Sequence, residues 1–179
     1  MPHVIEPATT ARAKCRGCGE KIAAGELRFG ESQPNPFAEG ETLQWYHLEC
    51  GAMKRPESFL ETVAALSEPP PDAERLTALA RQGVEHPRVA RVSGAERDPS
   101  GRAACRHCKE KIDKGAWRIA LVFFEDGRFS PAGSLHVSCA GAYCGTTDVL
   151  PRLRRFAPGL GEAELREIQA GLEAPPASS

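Results

Sequence analysis

The sequence predicts small α+β modules, two in tandem, each a β-hairpin or small antiparallel sheet with short helices around one cluster of metal-ligand side chains. Two observations carry that prediction. Cys15-Arg-Gly-Cys18 is closed by His47-Leu-Glu-Cys50, and Cys105-Arg-His-Cys108 is closed by His136-Val-Ser-Cys139, giving C-x2-C-x28-H-x2-C against C-x2-C-x27-H-x2-C. The similarity also extends past the clusters: Pro69, Leu76 and Leu79 return as Pro158, Leu165 and Ile168 at a constant offset of 89. Three thiolates and one imidazole match a closed tetrahedral zinc site, with no position left for a substrate or an activated water. The predicted cofactor is therefore two structural Zn2+ ions, held by Cys15, Cys18, His47 and Cys50 and by Cys105, Cys108, His136 and Cys139.

Size makes the metal decisive. The predicted boundaries are 8–83 for the first module, 84–97 for a polar linker, 98–172 for the second module and 173–179 for a disordered tail. A unit of this size has an apolar core that supplies only about 3–5 kcal/mol. A structural zinc contributes on the order of 10–16 kcal/mol in finger peptides.

Within the first module, residues 1–10 lack an apolar pattern and read as frayed. Glu26 to Glu31 and Thr42 to His47 read as paired strands around the Pro/Asn/Gly-rich loop Gln33–Gly40. His47 and Cys50, three apart, share a face of a starting helix that ends near Lys54, before Pro56. Phe59, Val63 and Leu66 recur at helical spacing, and Asp72 is a candidate N-cap for a helix stopping at Gly83. In the second module Ala116 to Glu125 and Phe129 to His136 read as strands, with Asp126-Gly127 a hairpin turn between them. A helix follows Cys139.

Seven cysteines, six of them in the clusters, argue against a secreted disulfide framework. The longest apolar run, Ile119 to Phe124, is too short to span a bilayer. These features predict an intracellular protein with reduced thiols, of nucleus or bacterial cytoplasm, with no membrane partner and no small-molecule substrate. Cys144 reads as a buried small hydrophobe, and His3, His86 and His107 as solvated. Net charge is −1, but it is unevenly spread: residues 11–83 carry 9 basic and 11 acidic side chains, and residues 101–156 carry 10 and 5. The electrostatic footprint for a polyanion lies on the second cluster. No catalytic set is visible, so the chain reads as a non-enzyme.

The segment Ser100-Gly-Arg-Ala-Ala-Cys-Arg-His-Cys-Lys-Glu-Lys-Ile-Asp-Lys-Gly-Ala-Trp-Arg-Ile119 resembles the zinc finger of poly(ADP-ribose) polymerases, a finger type also found in a nuclear DNA ligase. Cys15 to Phe29 with Trp45-Tyr-His-Leu-Glu-Cys50 resembles the same finger. The resemblance implies a DNA-break sensor that grips phosphates and lays apolar side chains on an exposed terminal base pair. By position it implies that Arg12 and Arg102, and Arg28 and Arg118, face the DNA. Candidate base-stacking residues are Phe37, Leu43 and Phe129, although Phe37 stands one residue off the family register, at Ala38, and Ser134 replaces the family tryptophan. The implied partner is DNA at nicks, gaps or ends. The alternatives are a zinc-stabilised adaptor in a repair or regulatory complex and, more distantly, a single-stranded RNA binder.

Overall fold

A computed structural model describes residues 1–175. The chain forms two units, Met1–Glu85 and a second that begins at His86.

In the first unit β1 (Val4–Pro7), β2 (Leu27–Pro34) and β3 (Glu41–His47) make an antiparallel sheet in the order β1-β2-β3. Residues 1–10 are thus not frayed. Val4 to Pro7 pairs with Gly30 to Leu27, and Ser32 N–H donates to His3 Nδ1 at 3.0 Å, so His3 pins the strand instead of being solvated. Helices α1 (Leu48–Lys54), α2 (Pro56–Ala64) and α3 (Ala73–Glu85) follow. Pro56 explains the break after α1, because Arg55 is forced out of helical geometry at φ −130°. The carboxylate of Asp72 takes Arg75 Nε at 2.6 Å.

Phe29, Tyr46 and Phe59 are fully buried in the core of this unit. The Phe29 ring stands 5.5 Å from Phe59 in an edge contact and 5.9 Å from Tyr46. Gly51 on α1 permits that arrangement: a Cβ there would come within 2.5 Å of Phe29 Cδ1. Glu31 is also buried, and accepts from Arg55 Nε at 2.8 Å and Ser58 Oγ at 2.7 Å. These bonds offset the cost of taking the carboxylate out of water.

The second unit repeats the plan with β4 (Val92–Arg97), β5 (Trp117–Glu125) and β6 (Arg128–His136) in the order β4-β5-β6. The expected linker 84–97 is therefore corrected. Pro87–Arg91 is a 3-10 turn and Val92–Arg97 is a full member of the sheet. The sequence hides this strand because Ser93, Gly94 and Glu96 weaken its alternation, while Val92, fully buried, anchors it. Asp126 and Gly127 both have positive φ, 51° and 73°, as the tight hairpin turn requires. Helices α4 (Ala140–Cys144), α5 (Leu150–Phe156) and α6 (Glu162–Glu173) close a core around Ile112, Ile119, Leu135, Leu153 and Ile168. Cys144, 3% exposed, belongs to that core. Of the expected tail 173–179, Glu173 ends α6 and residues 176–179 lie outside the described residues. Among the described residues, no helix is long and apolar enough to cross a membrane.

Candidate zinc centres and nucleic-acid interface

Each predicted ligand set is brought together. Cys15 and Cys18 lie on a knuckle whose backbone is pinned to the sheet: Arg16 N–H donates to Trp45 O, as Arg106 N–H does to Ser134 O, both at 2.9 Å. His47 ends β3 and Cys50 lies in the first turn of α1. His136 and Cys139 take the same places after β6.

The four ligand atoms of each set lie within 4.8 Å of one another. His47 Nδ1 is 3.3 Å from Cys18 Sγ and 3.9 Å from Cys50 Sγ, and His136 Nδ1 is 3.3 and 3.8 Å from Cys108 and Cys139. A tetrahedral zinc with Zn–S of about 2.3 Å and Zn–N of about 2.0–2.1 Å has an S···N edge of about 3.6 Å, the midpoint of these pairs. The far ring nitrogen is also fixed. Nε2–H donates to Lys21 O at 3.2 Å in the first set and to Lys111 O at 3.1 Å in the second, leaving Nδ1 as the ligand.

The thiol electrostatics point to a dication. A hydrogen bond from Cys50, together with backbone N–H groups of Cys18, His47 and Gly17, lowers Cys15 to about 4 despite burial. Cys105 is lowered to about 7, where burial is outweighed by the N–H groups of Cys108, His136 and His107. Their neighbours move the other way: burial and then the Cys105 charge push Cys139 up to about 12, and burial raises Cys18. Without a cation each set favours one thiolate and resists a second, Cys18 in one set and Cys139 in the other; Zn2+ removes that resistance. Both sets are structural zinc sites closed by four protein ligands.

The residues expected at a DNA surface divide sharply. Arg12 and Arg102 are exposed, with no carboxylate partner among the described residues. Arg28 is turned inward: it is 8% exposed, donates to Glu6 Oε1 at 3.0 Å, and has its Cζ 3.5 Å from the Trp45 ring centroid. That departs from the surface position implied by the resemblance. The cause is Gly30, where a Cβ would meet Trp45 Cζ3 at 2.7 Å, so its absence lets the indole lie flat across the sheet. A glycine inside a strand was the available signal.

Arg118 occupies the equivalent place in the second unit, where Ser134 stands for the tryptophan. It is held instead by two carboxylates, Glu96 Oε1 at 2.6 Å and Asp98 Oδ2 at 2.8 Å. Asp98 in turn accepts N–H groups from Gly101 and Ser100, which with Arg118 hold its carboxyl below the usual range.

Phe37 lies in the β2–β3 loop and is 95% exposed. Leu43 is half-buried and, with Trp45, Lys14 and Arg16, lines a shallow open groove beside the first knuckle. Phe129 is half-buried against Phe124, ring centroids 4.9 Å apart. Trp117 is covered by Arg97 and donates to Glu167 Oε2 at 2.8 Å.

Fold and ligand geometry define a tandem Cys3His zinc-finger protein. Residues 6–85 match the poly(ADP-ribose) polymerase and DNA-ligase Zn-finger region, so the first unit carries a zinc finger of the poly(ADP-ribose) polymerase type. It is similar to the poly [ADP-ribose] polymerase of Sarcophaga peregrina, 29% identical over 142 residues, which covers 70% of this chain and 14% of that protein. Poly [ADP-ribose] polymerase 1 of Arabidopsis thaliana is 29% identical over 137 residues (75% and 13%). That of Gallus gallus is 30% identical over 134 residues (66% and 13%). The chain thus spans about one-seventh of the length of these relatives, and each match is longer than either unit alone.

Proposed function

We propose that this protein binds DNA without catalysing a reaction, and that its first module recognises strand breaks: nicks, gaps or ends. The observation that carries this reading is Phe37. Its loop is ordered, with Phe37 N–H donating to Asn35 Oδ1 and Asn35 N–H to Gly40 O, both at 2.9 Å, yet the ring stands in solvent. An apolar ring held out by an ordered loop gains when it meets an exposed base face, worth about 1–3 kcal/mol. Leu43 and the cations of the neighbouring groove fit an apolar contact flanked by phosphates. Arg12 and Arg102 supply phosphate contacts, since their guanidinium forks are exposed and not neutralised by carboxylates. Four protein ligands close each zinc, which suits a scaffold and not an activated water.

A second reading, an adaptor for a repair or regulatory protein, draws on one feature. An open apolar groove between α2 and α3 is lined by Leu60, Val63, Ala64 and Pro69.

Fluorescence anisotropy of zinc-loaded protein with nicked, blunt-ended and closed-hairpin DNA separates these readings. Break recognition predicts tighter binding to nicked or blunt DNA. Phe37→Ala should erase that preference by roughly 5- to 150-fold, the equivalent of 1–3 kcal/mol, without lowering the melting temperature. Equal affinity for all three DNAs would leave a backbone binder. No binding at moderate salt would favour the adaptor.

A further inference from the structure

Three arginines of the second unit are paired with carboxylates: Arg97 with Glu167, Arg118 with Glu96 and Asp98, Arg154 with Glu162. Arg88, Arg91 and Arg106 are not. The first two lie on the 3-10 turn before β4 and the third in the zinc knuckle. None has a carboxylate at ion-pair distance among the described residues.

Two aromatic rings organise them. Arg88 Cζ stands 4.8 Å from the Tyr143 ring centroid, and Arg91 Nη1 donates to the Tyr143 hydroxyl at 2.9 Å. Arg91 Cζ also lies 4.7 Å from the Phe123 centroid, and Arg106 Cζ lies 5.5 Å from the same ring. Arg91 and Arg106 are therefore no further apart than about 10 Å.

The charge of this cluster is not cancelled from within. Cys144, whose surroundings include Arg152, Arg88 and Arg91, is pushed up to about 11 by burial and stays a neutral thiol. Fully buried Arg152 is lowered to about 10 by desolvation, against the opposing charge of Asp148, and remains cationic at neutral pH. From His86 to Ser179, with the segment expected to be a linker included, the chain carries 14 basic and 11 acidic residues.

Arg88, Arg91 and Arg106, like charges with no carboxylate at ion-pair distance among the described residues, are placed to take an anion. Stacking on rings restrains the guanidiniums before any ligand arrives, so less side-chain freedom is lost on binding. At most about 10 Å apart, Arg91 and Arg106 are close enough to reach neighbouring phosphates of one strand.

We propose that Arg88, Arg91 and Arg106, ordered on Tyr143 and Phe123, form a phosphodiester-binding site on the second module that takes the backbone of a DNA strand, in addition to Arg102. The proposal rests on the DNA-binding reading above, and the test separates the two.

The zinc-loaded full chain is titrated with a labelled blunt duplex across a salt series, comparing wild type, R88Q/R91Q, R88K/R91K and R102Q. Zinc content and melting temperature establish that each variant is folded. Loss of two phosphate contacts should reduce the magnitude of the log K against log salt slope by about two in R88Q/R91Q. R88K/R91K, which keeps the charges, should retain the slope. Should R88Q/R91Q fail to fold, R88Q alone, altered at an exposed side chain, should lower the slope by about one. A folded R88Q/R91Q, or R88Q, with the wild-type slope while R102Q loses slope overturns this site and leaves the DNA-binding reading standing. A wild type that binds no DNA overturns both.

Discussion

Gly51→Ala tests how tightly the first module is packed, and its magnitude follows from the geometry. The new Cβ would sit 2.5 Å from Phe29 Cδ1 and 3.2 Å from Cγ. Ordinary carbon contacts begin near 3.5 Å, so the ring must retreat by about 1 Å. It has little room, with Tyr46 at 5.9 Å and Phe59 at 5.5 Å between centroids. Overpacking of this kind costs about 1–3 kcal/mol. In a unit of this size each kcal/mol shifts the melting temperature by roughly 4–8 °C. Thermal unfolding of the zinc-loaded protein should therefore show the transition of the first module lowered by about 5–20 °C. Gly159→Ala, at a site with nothing within 4 Å, serves as a control and should leave stability essentially unchanged. The clash also has a directed remedy: Phe29→Ala removes Cγ and Cδ1, the atoms that collide, so G51A/F29A should be more stable than the sum of the single effects predicts. A wild-type transition for G51A, or strictly additive single effects, would refute the claim that Gly51 is needed for the Phe29 packing.

Three further outcomes are expected. Chelation of zinc should abolish the native circular dichroism of both units, because the zinc term of about 10–16 kcal/mol exceeds the core contribution of about 3–5; a retained native spectrum would contradict this. Asp98 is one acid-sensitive group of the second module, beside Glu162 and Glu167. Its folded pKa lies below the unfolded value, so its stabilisation is complete above about pH 4 and is lost as pH falls through the folded pKa. Asp98→Asn should lack this acid-side loss, which then stands isolated in the wild-type-minus-variant difference, where the protonation of zinc ligands cancels; identical pH profiles would refute it. Cys144, with its thiol pushed up to about 11 and its side chain buried, should resist alkylation at pH 8 in the zinc-loaded protein and react once the chain is unfolded. Rapid native labelling at Cys144 would show that the site opens.

The metal centres and most of the elements were legible because their signals are local. A ligand spacing, a Pro56 that stops a helix and an Asp126-Gly127 turn each act within a few residues. The outer strands β1 and β4 were not. Four residues ending at Pro7, and six interrupted by Gly94, carry too little alternation, and their strand geometry comes from pairing with β2 and β5. Losing β4 also cost the sequence reading Arg88 and Arg91, assigned to a linker when they belong to a folded unit. The burial of Arg28 escaped for another reason. A guanidinium reads as surface, and only the pairing of Gly30 with Trp45 across the sheet shows that it lies under an indole.

That indole has a consequence for how the two halves could diverge after a duplication. One strand arginine is retained in both, paired to Glu6 or Glu96, but three positions around it differ together. Gly30, Trp45 and Ala8 in the first half correspond to Ala120, Ser134 and Asp98 in the second. The first half covers its arginine with an aromatic roof that only a glycine floor admits; the second has a walled floor, no roof, and a carboxylate beneath. The three sites are thus sterically and electrostatically coupled. A tryptophan transplanted alone to position 134 would land on a β-carbon, and the halves are interchangeable here only as whole triplets.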